Sequence, residues 1–191
     1  MTPQQIIDFG KMRHQVLLYD DPSDLESLMR YTLIRYESKA SVLKTAYLET
    51  DPRTATFYFA KPADFKSLVY CEDDRGRFCV SRLRPENTVE KIFIQKDEDG
   101  QTTFPIKIHY LASIANMGLG ESFPPGVSES LIMDHFFAML DRENAKLLRQ
   151  ASAVTGLQDS SEADETLTQR ILALETMFDA EQAMIPPITV R

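Results

Sequence analysis

The residues of this chain that could do chemistry are few and scattered. Asp20, Asp21 and Asp24 offer hard oxygen ligands of the kind a divalent cation takes. They lack the alternating Asp or Asn and the glycine of a calcium loop, and Asp21 before Pro22 reads better as a helix cap. Asp97-Glu-Asp-Gly100 offers similar oxygens, and a hairpin turn is the better account of it. His14, His109 and His135 stand far apart, with no companion at ligand spacing. Asp134 and His135 are adjacent, so on a helix their side chains diverge around the cylinder. Covalent or acid–base catalysis needs a base, a nucleophile and an orienting group that converge, and no such set is visible. The chain is therefore not read as an enzyme, and neither a metal nor a cofactor is expected.

Three features are weaker but specific. Cys71 and Cys79 flank a turn almost symmetrically, so they should face each other across two strands. Packing is the better account of that pair than redox chemistry in a reducing compartment. The run Phe57-Tyr-Phe59 could stack bases, but platforms of that kind carry basic residues between the rings. Only Lys61 and Lys66 are near in sequence, which favours a packed strand. Last, Met184, Ile185, Pro186, Pro187, Ile188, Val190 and Arg191 form an apolar, proline-stiffened end. Frayed termini are usually polar, so an end of this kind suggests an extended segment docked on a partner.

Composition sets the frame. A chain of 191 residues, 43% apolar and 26% charged, fits one globular domain able to bury about two-thirds of its unfolded surface. No apolar run is long enough to span a bilayer, and the start Met1-Thr-Pro-Gln-Gln shows no secretory signal. Two cysteines make no disulfide framework, so the default setting is a reducing cytoplasm, and no membrane is expected as a partner. The net charge of −8 argues against a broad grip on a phosphate backbone.

The elements that must position these residues follow from periodicity. Thr2, Pro3 and Gln5 form a helix start, with Ile6, Ile7, Met12, Val16 and Leu17 as the apolar positions of a helix over 3–19. Asp21 and Pro22 open a second helix over 22–48, with Leu25, Leu28, Met29, Leu33, Tyr36, Ala40, Leu43 and Tyr47 on one stripe. Glu26, Arg30, Arg35, Glu37 and Lys39 form its solvated face. From 54 to 110 the period changes to two, with strands near 54–60, 66–71, 77–83, 88–95 and 102–110. Turns at Asp73–Arg77 and Asp97–Gln101 each contain a glycine, and Pro105 places the last strand at an edge. At Lys61-Pro-Ala-Asp-Phe65 the chain turns a corner, where Asp64 can bond its own backbone two residues on. A Gly/Pro-rich connection over 113–127 leads to a helix over 128–154 capped by Ser128. Its inward positions are Leu131, His135, Phe136, Met139, Leu140, Leu147, Leu148 and Ala151. A final helix over 162–184, with Ser161 and Asp164 in cap spacing, carries Leu167, Ile171, Leu174 and Phe178. Residues 186–191 then form an extended tail. Helices, then strands, then helices predict an α+β fold: a helical bundle built from an N-terminal pair and two C-terminal helices, with an inserted antiparallel β-hairpin region, all within one domain over 1–185.

The sequence order also resembles a known family. A helix pair is followed by Tyr47-Leu-Glu-Thr50, an aromatic strand into Lys61-Pro-Ala-Asp-Phe65, hairpins, Ile106-Lys-Ile-His-Tyr-Leu111, a proline-rich loop and two helices. This pattern, over roughly residues 22–185, resembles the head–tail adaptor (connector or neck) proteins of tailed bacteriophages, in the podovirus-like branch. Lys61 stands where that family often has leucine, and Glu121 is the one charged residue of the connection 113–127.

The resemblance implies a virion structural protein of the neck, assembled in the host cytoplasm. It implies a dodecameric homo-oligomeric ring docked beneath the portal protein and receiving a tail or nozzle protein, with helices side by side around the ring. DNA would pass through the centre without sequence-specific contact. The C-terminal segment would reach along the portal, and repetition of a weak contact around the closed ring would make it strong. The alternative is a small cytoplasmic regulatory or inhibitor protein that binds one partner through its C-terminal tail.

Overall fold

The structure is a computed structural model and describes residues 1–49, 57–86, 88–95, 102–155 and 163–181. It is an α+β fold, with four helices and antiparallel sheets among the described residues. The backbone divides into two compact units. One comprises Met1–Val42 and the described residues from Ile114 to Glu181, and the other comprises Leu43–Ser113. No described helix is long and apolar enough to cross a membrane.

The helical unit begins with α1 (Pro3–Arg13). Thr2 Oγ1 accepts from the Gln5 amide at 3.2 Å and the Gln5 side chain accepts from the Thr2 amide at 2.9 Å, a reciprocal cap that fixes the start. The helix stops at Arg13 rather than running to 19: His14 is extended, and Asn144 binds the backbone that follows. Its Oδ1 accepts from Leu18 N at 2.7 Å and its Nδ2 donates to Val16 O at 3.1 Å. Ile6 and Ile7 are buried, whereas Met12 and Val16, expected inside, are exposed.

α2 (Pro22–Ala40) is capped by Asp21, whose Oδ1 accepts from the Ser23 amide at 2.8 Å. It ends eight residues before the expected boundary of 48. Ser41 adopts φ 58, outside helical space, and Val42–Leu48 is strand β1. Leu43 and Tyr47 fit a helical stripe by spacing, but Val42, Thr45 and Tyr47 suit a pleated surface, and pairing within a sheet decides it. α3 (Glu129–Thr155) and α4 (Asp164–Ala180) complete the unit. On α3 the buried set is Ile132, His135, Phe136, Phe137, Ala138, Met139, Leu140, Asn144 and Ala145. Leu131, Leu147 and Leu148 are only half-buried and Ala151 is exposed, so the stripe lies partly rotated from its expected face. On α4 the expected Leu167, Ile171, Leu174 and Phe178 are all buried. No side chain caps α4 at Ala163, and Ser161 lies outside the described residues.

The strand unit adds β2 (Tyr58–Phe59), β3 (Phe65–Glu72), β4 (Phe78–Cys79), β5 (Ser81–Glu86), β6 (Val89–Ile94) and β7 (Ile106–Ala112). One sheet has the order β1-β7-β3-β4 and the other β2-β6-β5. The expected strand over 77–83 is split at Val80, so that β4 and β5 belong to different sheets. Pro105, joined to Phe104 by a cis peptide bond, precedes β7 instead of lying in it. β7 therefore sits inside its sheet, not at an edge. Ile106, Ile108, Tyr110 and Ala112 face inward in strict alternation. Of the expected strand over 54–60, residues 54–56 lie outside the described residues, as does the turn Asp97–Gly100.

Candidate functional site

The corner at residues 61–65 organises the strand unit. Phe65 N donates to Pro62 O at 3.0 Å, closing the turn that the proline begins. Asp64 does not spend its carboxylate on a local turn. It accepts the Lys44 ammonium from β1 and the Tyr110 hydroxyl from β7, while its carbonyl accepts from Ser113 N at 2.7 Å. One side chain thus joins an edge strand, an interior strand and the corner. Burial alone would raise the Asp64 carboxyl; the bonds from Lys44 and Tyr110 outweigh it and hold the group below its ordinary value. The Tyr110 hydroxyl is pushed up to about 12, by burial first and then by the Asp64 carboxylate.

A second carboxylate closes the β3–β4 hairpin. Asp73 accepts from Arg75 N at 3.0 Å, Arg77 N at 2.8 Å, Arg77 Nε at 2.9 Å and Thr103 Oγ1 at 3.2 Å. Burial works against the charge, but those bonds win and hold the group at about 2. Gly76 at φ 75 supplies the left-handed residue the turn needs. Within this hairpin Cys71 and Cys79 are direct register partners, as expected, and both are free thiols. Burial pushes the Cys71 thiol up to about 11.

The histidines, unpaired in sequence, each meet a carboxylate in space. His14 lies 3.1 Å from Asp141, His109 3.5 Å from Glu72 and His135 3.6 Å from Glu175. None of these is joined by a third ligand: among the described residues no group of three or more His, Cys, Asp or Glu is placed to hold a metal. His135 is wholly buried between α2 and α4, with Nδ1 3.2 Å from Thr32 Oγ1. Burial lowers its basicity more than Glu175 raises it. Arg35 grips Glu175 through Nε at 2.8 Å and through Nη2.

The polar face of α2 is therefore not merely solvated, as its charge pattern suggested. Besides Arg35, Glu37 accepts from Ile114 N and Ala115 N, both at 3.0 Å, and Arg30 donates to the carbonyls of Ala115 and Met117. Two charged residues two turns apart thus satisfy the backbone of the connection after β7. Sequence reasoning missed this role; the spacing of Arg30 and Glu37 on one face was the available signal.

The outward faces of the same unit carry large apolar side chains. Phe9 and Met12 are exposed on α1, Met12 at 78%, and Val16, just past its end, is 59% exposed. Tyr31 and Ile34 are exposed on α2, and Leu172 and Met177 on α4. The expected partner-binding segment, Met184, Ile185, Pro186, Pro187, Ile188, Val190 and Arg191, lies outside the described residues. No protein-family model matches the chain, and a search of curated proteins finds no match.

Proposed function

We propose that this protein is a virion structural adaptor: a homo-oligomeric ring beneath a portal protein that links it to a tail or nozzle protein, with DNA passing through the centre. The observation that carries the reading is the distribution of apolar surface on the helical unit. α1, α2 and α4 each leave two or more large apolar side chains outward. Scattered exposed apolar residues need no explanation, but helix faces on several sides suit a subunit gripped by neighbours on more than one side. Heterologous contacts that close into a ring have this requirement. The net charge of −8 suits a passage that nucleic acid crosses without sticking.

In this reading residues 184–191 dock on the portal, where Ile185, Ile188 and Val190 would each contribute on the order of 1.5–3 kcal/mol before ordering costs. No chemical reaction is involved. Met12→Glu and Leu172→Glu test the reading, because both positions are exposed and the variants should fold normally. Each should keep the parent melting temperature while losing assembly on the portal protein. Full assembly by both variants would remove the observation on which the reading rests.

A further inference from the structure

The sheet β2-β6-β5 meets a condition that the sequence did not. Around Phe57-Tyr-Phe59, basic residues between the rings are missing along the chain, yet neighbouring strands supply them. Register places Arg82 opposite Phe93, Phe93 opposite Tyr58, and Arg84 opposite Lys91. Directly paired residues share a face, so Arg82, Arg84, Lys91, Phe93 and Tyr58 lie together on one side of the sheet. The other side is the inward one, where Ile92 and Ile94 are fully buried. Phe57 and Phe59 pack near Phe104, at 6.3 and 6.2 Å between ring centres.

The outward side has a particular construction. The Arg84 guanidinium lies 4.5 Å from the centre of the Phe93 ring, and Tyr58 packs on Phe93 at 4.9 Å. Stacking on a ring leaves the edge of a guanidinium free to donate and its outer plane free to stack. Arg82 and Arg84 are both exposed, and neither has a carboxylate partner among the described residues. Arg84 and Lys91 are like charges directly across strands, an arrangement that disfavours pairing unless an anion offsets it. Glu86 accepts from Lys91 Nζ at 2.5 Å. A chain of net charge −8 thus keeps, among the described residues, three cations against one carboxylate on a single aromatic sheet face.

We propose that this outward face binds single-stranded nucleic acid without preference for base sequence. Arg82, Arg84 and Lys91 meet phosphates, and bases stack on the Arg84–Phe93–Tyr58 surface. Single strands suit it better than duplex, because unstacked bases can reach a ring and three cations are too few to grip a duplex backbone strongly. An acidic protein segment would use the cations but leave the stacked surface without a partner. The inference does not depend on the adaptor reading.

Fluorescence anisotropy of a labelled oligothymidylate with the full chain tests it. Binding should saturate, and log Kd should change with log salt with a slope near 2, about 0.7 for each of three phosphates. The double variant Arg82→Ala/Arg84→Ala should bind at least about tenfold more weakly and lose most of that slope. Arg84→Lys keeps the charge but loses the plane over Phe93, so it should weaken binding with the slope unchanged. Near-ultraviolet circular dichroism and the melting temperature establish that each variant folds. The proposal fails if the parent chain shows no saturable binding at low salt. It fails also if the folded double variant binds like the parent, or if a polyglutamate competitor binds as tightly as the oligonucleotide.

Discussion

The Tyr110 hydroxyl donates to Asp64 Oδ1 at 2.9 Å, tying the interior strand β7 to the corner that leads into β3. Tyr110 is almost wholly buried, so its hydroxyl has no solvent to turn to when the carboxylate is removed. Tyr110→Phe should destabilise by about 1–2 kcal/mol, and Asp64→Ala by somewhat more because Lys44 also loses its partner. A double-mutant cycle read by denaturant unfolding should give a coupling near 1 kcal/mol. Strict additivity of the two substitutions would show that the bond contributes nothing.

Acid stability should depend on Asp73. Its folded pKa, about 2, lies below the ordinary 3.8, so the stability it contributes is present above pH 4 and is lost as pH falls toward 2. Asp73→Asn should be less stable at neutral pH and show a shallower loss over that window. A carboxyl titration followed by NMR that places Asp73 near 4 would contradict the assignment.

His135 acts in a higher window. Burial lowers its pKa below the ordinary 6.5, so the folded state binds fewer protons than the unfolded chain just below that value. Its contribution is therefore present above about pH 6.5 and declines as pH falls through the folded value. His135→Gln should flatten the pH dependence of the melting temperature below about pH 6.5, measured by calorimetry. An unchanged slope would mean that other groups titrate there.

Two substitutions test the packing of the helical unit. Leu33 is fully buried on α2, and Leu33→Asp should cost on the order of 4 kcal/mol. A cooperatively folding variant of near-parent stability would contradict the burial of that face. At Gly10 an added Cβ would lie 2.9 Å from Phe136 Cε1 and 3.0 Å from Leu140 Cδ2. Gly10→Ala should therefore destabilise by about 1–2 kcal/mol, although alanine is the better helix former. A stabilised variant would show that α3 yields to the new methyl group.

Much of the fold is legible in the sequence where a local rule has no competitor. The Thr2–Gln5 and Asp21 caps, the stripe Leu25–Ala40, the stripe of α4 and the Cys71–Cys79 register all follow from short-range spacing. What is not legible depends on distant residues. Asn144 holds the non-helical backbone after α1 from more than a hundred positions away, and pairing within a sheet turns 42–48 from helix to strand. The role of Asp64 is hidden for the same reason, since Lys44 and Tyr110 come from strands on either side of it in sequence. The cationic sheet face is likewise invisible along the chain, because Tyr58, Arg84 and Phe93 belong to three strands.

The central claim is that this chain assembles as a multi-copy ring on a portal. Native mass spectrometry of the purified chain mixed with the proposed portal partner tests that claim most directly. The adaptor account predicts a discrete complex in which many copies join one portal ring, and the same mixture with residues 184–191 deleted should show none, although the shortened chain melts at the parent temperature. A mixture that contains only separate portal rings and free full-length chains would contradict the account.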